Sequence, residues 1–261
     1  MTATVTAPVT APVTATGHPT PAIPANAALL LDVDGTLLDI APTPTSVHVP
    51  PGLPASLAAL SSRLGGAVAL VTGRPIEQVD ALFPALVTAV AGEHGGAIRH
   101  SPAGPVERPP LATLPPGWLA TAETLAGATA GVLLERKSHG FVLHYRLAPD
   151  AGPGLYTAIL GLLKAHAETF TVLAARMAWE VKPLGADKGT AVRSLMARAP
   201  FAGRIPIYVG DDTTDEDGMR AAIALGGLGL RVQDVFVDPA GVRAWLDREV
   251  AVAPDPNPAF R

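Results

Sequence analysis

The chain has 261 residues, of which 48% are apolar and only 16% charged, with a formal net charge of −4. That length fits one large or two modest domains, and the mild acidity gives no basic field for nucleic acid or an anionic membrane. Cysteine is absent, which removes disulfides, thiolate zinc sites and cysteine nucleophiles together and agrees with a reducing, cytoplasmic setting.

Residues 1–26 repeat Ala, Thr, Val and Pro and carry no Lys, Arg, Asp or Glu. The prolines forbid a regular helix, the small side chains cannot form a core, and the basic start of a signal peptide is missing. A disordered tail is expected there, and a second frayed end over Ala253–Arg261, which is punctuated by Pro. No run of about 18 apolar residues occurs elsewhere, so no membrane span is expected.

From Ala27 to Val33 an apolar run ends in carboxylates, as a buried parallel strand would. Leu53, Leu57, Leu60 and Leu64 follow at helical spacing until Gly65-Gly66 stops them. Ala67–Val71 is a second strand, a short helix runs to Leu82, and Val87–Ala91 is a third strand. The same grammar returns late, with a helix over Lys188–Arg198, a strand over Ile205–Val209 and a helix over Asp215–Leu225. Such alternation predicts a doubly wound parallel sheet, an α/β Rossmann-like core.

The middle differs. Trp118–Ala128 reads as a helix, Val132–Lys137 and Phe141–Leu147 as a hairpin turning at Ser138-His139-Gly140, Leu155–Ala167 as a helix, and Phe170–Ala174 and Met177–Lys182 as two more strands. The expected organisation is therefore a core of 27–104 and 184–252 with an inserted α+β module over 105–183. Successive strand side chains face opposite ways, so Glu135 and Lys137 share a face, as do His144 and Arg146, and Glu180 and Lys182. The opposite face, with Phe141, Leu143, Tyr145, Trp179 and Val181, is apolar. The polar face reads either as ordinary solvated sheet or as a surface that grips a polyhydroxylated ligand.

The sharpest chemistry is Asp32-Val33-Asp34-Gly35-Thr36, beyond the carboxyl end of the first strand, where open α/β sheets place reactive groups. Two carboxylates so close repel unless a cation lies between them, and Gly35 lets the chain turn sharply. A second acidic run, Gly210-Asp211-Asp212-Thr213-Thr214-Asp215-Glu216-Asp217, again follows a strand. Together they suggest a magnesium site with oxygen ligands. A calcium loop fails on spacing, because aligning Gly218 with its glycine puts Thr213 and Ala224 where carboxylates belong. Thr72, after the second strand, can hold a phosphate oxygen, and Lys188, opening a helix, can neutralise phosphate and carboxylate. Glu216 and Asp217 are explained by helix capping.

Asp32-Val-Asp34-Gly-Thr, Thr72, Lys188 and Gly210-Asp211-Asp212 resemble, in order, the four motifs of the haloacid dehalogenase (HAD) superfamily. Gly210-Asp-Asp-x-Thr-Asp-Glu216, Gly92-x-His94-Gly95, Glu135-x-Lys137, His144-Tyr145-Arg146 and Glu180-Val-Lys182-Pro183 are similar to the pattern of the trehalose-6-phosphate phosphatase family. The resemblance covers about 27–246 and departs in a segment between Arg231 and Asp238 that is shorter than the family's. It implies a HAD core with an inserted cap and hydrolysis of trehalose 6-phosphate through an aspartyl-phosphate. Asp32, Asp34, Thr72 and Lys188 would be catalytic. Mg²⁺ would be held by Asp32, the Asp34 carbonyl and Asp211, with support from Asp212 or Asp215. Arg74, His94, Gly95, Glu135, Lys137, Arg146 and Glu180 would bind the substrate. The alternatives are a phosphatase for sucrose 6-phosphate or a glycosyl-phosphoglycerate, or a non-catalytic partner of a sugar-phosphate synthase. The oligomeric state stays open, and a monomer is admissible.

Overall fold

The computed structural model describes residues 20–41, 43, 46–84, 86, 88–175 and 177–251. Most of the expected tail, and all of the expected frayed end, lies outside the described residues.

The apolar run Ala27–Leu31 (β1) is fully buried. Helix α1, Leu53–Arg63, buries Leu53, Leu57 and Leu60 on one face and ends where Gly65 and Gly66 adopt φ of 59° and 88°, a left-handed stop open to glycine. Strand β2 (Val68–Val71), helix α2 (Ile76–Leu82) and strand β3 (Ala89–Gly92) follow. β3 starts two residues later than expected and ends one later, and Val87 falls outside the described residues. Two short strands, β4 (Ala97–Arg99) and β5 (Val106–Glu107), then return antiparallel.

The insert contains α3 (Trp118–Gly127), β6 (Leu133–Arg136), β7 (Phe141–His144), α4 (Gly152–Leu163), β8 (Phe170–Ala175) and β9 (Ala178–Pro183). The chain re-enters the core with α5 (Lys188–Met196), β10 (Ile205–Gly210), α6 (Asp215–Ala224), β11 (Leu228–Arg231), α7 (Val232–Val235) and α8 (Pro239–Ala251). Asp187 caps α5, its Oδ1 accepting from the Thr190 N–H at 2.7 Å.

The larger sheet has seven strands in the order β11-β10-β1-β2-β3-β4-β5, and the smaller has four in the order β6-β7-β9-β8. β11, β10, β1, β2 and β3 are parallel, which makes this a doubly wound α/β core with an inserted α+β cap. β5 belongs to the larger sheet, so the core continues past the boundary expected at 105. Its two residues are exposed and sit in a Pro- and Gly-rich stretch, so no strand pattern marks them. Each sheet has its own apolar cluster. One is centred on β1, β2 and β10, the other on Trp118, Phe141, Leu143, Ile159 and Val181. Each fully buried Leu or Phe contributes about 1.5–3 kcal/mol to stability. The short connection after β11 still closes the core edge, because it forms α7 and sets the Phe236 ring 5.1 Å from that of Trp245. Among the described residues no helix is long and apolar enough to cross a membrane.

Candidate active site

The carboxyl ends of β1, β2 and β10 lie side by side, and their register brings together residues far apart in sequence. Asp32 follows β1, Thr72 follows β2 and Asp211 follows β10, all buried. Lys188, on the first turn of α5, inserts its ammonium between two carboxylates, donating to Asp32 Oδ1 and Asp215 Oδ1 at 2.6 Å each. Burial alone would lower the Lys188 pKa, but the charges of Asp215 and Asp32 more than offset it and hold the ammonium protonated. Burial and the neighbouring Asp215 charge push the Asp32 carboxyl well up, Lys188 opposing. Asp215 itself stays anionic, since Lys188 and its hydrogen bonds outweigh its burial.

Asp215 is saturated. Its Oδ1 accepts from Lys188 and from the Tyr208 hydroxyl at 2.6 Å, and its Oδ2 from the N–H groups of Asp211 and Asp212 at 3.1 and 3.0 Å. The acidic loop therefore wraps around this carboxylate, and Gly210 permits it: a Cβ there would lie 2.3 Å from Asp215 Cγ. Gly35, at φ 83°, does the same on the other side, where a Cβ would meet Asp211 Oδ2 at 2.3 Å.

Asp32, Asp211 and Asp215 bring carboxylate oxygens within 4.8 Å of one another. Three acids against one ammonium leave an excess of negative charge, and all-oxygen donors suit a hard divalent cation. The carboxylates of Asp34 and Asp212, two of the five expected metal residues, stand outside this cluster. Asp212 Oδ1 is turned to Thr213, accepting from its N–H at 2.6 Å. The Asp34 carboxylate is clasped by Arg74, whose Nε and Nη2 donate to its two oxygens at 2.6 Å each. Arg74, expected to face substrate, is thus engaged by its neighbour in the site.

Above these acids a cavity of about 200 Å³ lies between core and cap. Asp32, Asp34, Thr72, Arg74 and Lys188 line it from below. Glu135, Lys137, His144, Arg146 and Glu180 line it from above, so the polar face of the smaller sheet is turned to the site and its apolar face to the helices. The register Glu135↔Val142↔Glu180 puts an apolar side chain between two acids. Val142, Gln78 and Ala41 are lining residues that sequence reasoning missed: Val142 shares the parity of His144 but is apolar, and nothing in the local pattern distinguishes Gln78 and Ala41.

The cap groups are paired. Lys137 Nζ donates to Glu180 Oε1 and to the Gly73 carbonyl, both at 2.8 Å. His94 Nε2 lies 2.8 Å from Glu180 Oε2, and His144 Nε2 2.8 Å from Glu135 Oε2. Burial lowers the His94 pKa, and its buried Nδ1 has no hydrogen-bond partner among the described residues, so we assign the neutral ring with its proton on Nε2, donated to Glu180. Burial would raise the Glu180 pKa, but His94 and Lys137 hold this carboxyl far below the usual range. Glu135 is lowered likewise, its burial outweighed by the His144 hydrogen bond and the Lys137 charge. Arg146 lies just past the end of β7 rather than within it and donates to the Ala41 carbonyl of the core. Gly95, expected at the substrate, does not line the cavity. At φ 97° it lets the chain approach α5, where a Cβ would lie 2.9 Å from the Asp187 carbonyl oxygen.

The trehalose-phosphatase family model matches residues 30–233, which contain both sheets' site residues. The chain belongs to the trehalose-phosphatase family. Within this family's curated members it is similar to the probable trehalose-phosphate phosphatase of Sinorhizobium fredii, 43% identical over 103 residues. It is also similar to the trehalose-6-phosphate phosphatase of Escherichia coli, 35% identical over 109 residues. These matches cover 40% and 42% of this chain but only 39% and 41% of those proteins. The trehalose-phosphatase fold extends further. The C-terminal domain of the Candida albicans trehalose-6-phosphate phosphatase superposes with a TM-score of 0.72 over 90% of this chain and 99% of that one, at 19% identity. A structure described as a trehalose-6-phosphate phosphatase related protein gives 0.70 over 85% of this chain and 96% of that one, at 22% identity.

Proposed function

We propose that the chain is a magnesium-dependent phosphoric monoester hydrolase that converts trehalose 6-phosphate to trehalose and phosphate, acting in trehalose biosynthesis in the cytoplasm. The observation that carries this reading is one cavity with a buried Asp32–Lys188–Asp215 cluster below and the Glu135, Lys137 and Glu180 side chains of the cap above.

In the first step Asp32 attacks phosphorus and the bond from phosphorus to the sugar oxygen breaks, while Asp34, having taken up a proton from solvent on leaving Arg74, delivers it to that oxygen. In the second step Asp34 takes a proton from a water that attacks the aspartyl-phosphate, releasing phosphate and restoring the Asp32 carboxylate. Asp34 must leave the Arg74 fork to reach the leaving oxygen, so arrival of the substrate phosphate, which competes for the guanidinium, releases it. Lys188 neutralises charge on the transferring group from a fixed, buried position, and Thr72 supplies a hydroxyl at the phosphate. Asp32 and Asp211, with the Asp34 carbonyl, would hold Mg²⁺, while Asp215 orients Lys188 and the acidic loop. When bound, the cation supplies charge stabilisation of the phosphoryl group. The cap excludes water and offers carboxylates and an ammonium to sugar hydroxyls.

The test is phosphate release from a panel of sugar phosphates with Mg²⁺ and with chelator. Preference for trehalose 6-phosphate, lost with chelator, supports the reading. Preference for sucrose 6-phosphate or a glycosyl-phosphoglycerate, or activity indifferent to chelator, overturns it.

A further inference from the structure

Glu93 and His94 are consecutive non-glycine residues in the left-handed region, at φ 52° and 54°. Neither is a glycine, and glutamate is not among the side chains enriched in this region, so the backbone is strained at Glu93, and such strain gathers where structure is used. Its effect here is to aim both side chains across the cleft at the cap. His94 reaches Glu180, while the buried Glu93 carboxylate accepts the Ser138 N–H through Oε2 and the Ser138 hydroxyl through Oε1, both at 2.9 Å. Ser138 lies in the turn between β6 and β7, outside their ladder, so the hairpin itself offers its N–H no strand partner. The next residue back is Lys137, whose ammonium bridges Glu180 and the Gly73 carbonyl.

We propose that Glu93 is a positioning residue that latches the cap hairpin to the core and so sets Lys137 and Glu180 over the cavity. Glu93 does not line the cavity and touches no reacting group. It governs substrates that must be gripped by the cap and leaves untouched those that need only the acids below. The proposal rests on the sugar-phosphate reading of the site.

The experiment compares Glu93→Asn, Glu93→Gln and Ser138→Ala in the full chain. Asn suits a positive φ but falls one methylene short of Ser138, so loss of the latch is separated from failure to fold. Gln keeps an acceptor for the Ser138 N–H and an amide that can donate to its oxygen. Expected for Glu93→Asn is a rise in KM for trehalose 6-phosphate of roughly tenfold or more, with turnover of p-nitrophenyl phosphate unchanged. Ser138→Ala should give a smaller rise and Glu93→Gln should restore most of the loss. Hydrogen exchange of the Ser138 amide should speed in Glu93→Asn and not in Glu93→Gln. Equal losses on both substrates, or Ser138 exchange unchanged in Glu93→Asn, overturn the latch. Faster Ser138 exchange in a protein whose wild type ignores trehalose 6-phosphate upholds the latch and removes the substrate assignment instead.

Discussion

Arg74 holds both oxygens of Asp34 at 2.6 Å, so the group assigned to protonate the leaving oxygen rests as a carboxylate in an ion pair and must exchange Arg74 for a proton before it acts. Asp34→Asn should lower kcat for trehalose 6-phosphate by roughly 10²–10⁴. With p-nitrophenyl phosphate the first step, release of nitrophenolate in a single turnover, should be much less affected, because a nitrophenolate departs without a proton, whereas steady-state turnover still needs Asp34 as base. Arg74→Lys cannot reproduce the two-pronged grip and should also lower kcat for the sugar phosphate. Single-turnover kinetics on both substrates check this, and parallel losses in the first step for Asp34→Asn would remove its role as acid.

Tyr208 donates to Asp215 from a fully buried position on β10, and its ring occupies the space that a side chain at Gly218 would need, a Cβ there meeting Tyr208 Cε2 at 2.5 Å. Tyr208→Phe keeps the ring and deletes one hydrogen bond to a charged acceptor, so unfolding free energy should fall by about 1.5–3 kcal/mol. With Lys188 less firmly oriented, kcat should fall while KM stays near the wild-type value. Denaturant titration beside kinetics separates the two effects.

Gly35 combines a left-handed φ with a Cβ position 2.3 Å from Asp211 Oδ2. Gly35→Ala changes no charge yet must displace Asp211. Calorimetric titration with Mg²⁺ should show weakened binding, and thermal unfolding without metal should show a loss of about 1–3 kcal/mol from backbone strain. Unaltered Mg²⁺ binding in this variant would place the cation elsewhere.

The Glu180 cluster makes stability pH-dependent. Glu180 has its folded pKa pushed far below the ordinary value of 4.5, so its contribution is complete above 4.5 and is lost as pH falls below it. His94, lowered from 6.5 by burial, acts in the same sense from a higher starting point. Stability should therefore decline on acidification below about pH 6.5 and decline further below about 4.5. Glu180→Gln should flatten the lower part of the curve, as measured by urea unfolding between pH 7 and 4.

The strand ends that carry Asp32, Thr72 and Asp211 are legible in the sequence because apolar runs bounded by polar residues mark where parallel strands stop. The apolar and polar faces of the cap follow from the alternation of Phe141, Leu143 and Val181 with Val142, His144 and Glu180. β4 and β5 are not legible, since three and two residues give no periodicity. Nor is the Arg74–Asp34 pair, which depends on how β1 and β2 lie against each other. Glu93 escapes notice for another reason: nothing in a glutamate announces a left-handed backbone. Gly95, two residues on, stands out by type but serves packing.

β1 sits between β2, which follows it closely, and β10, which is made only after the whole cap. Asp32 and Lys188 stand 156 positions apart. During synthesis the first strand therefore waits with one edge uncovered while the hairpins and helices of the insert emerge, and loop closure across that insert must precede completion of the sheet. The cap can take shape early, whereas the acid cluster of the core is completed last, once the chain has come back to its own beginning.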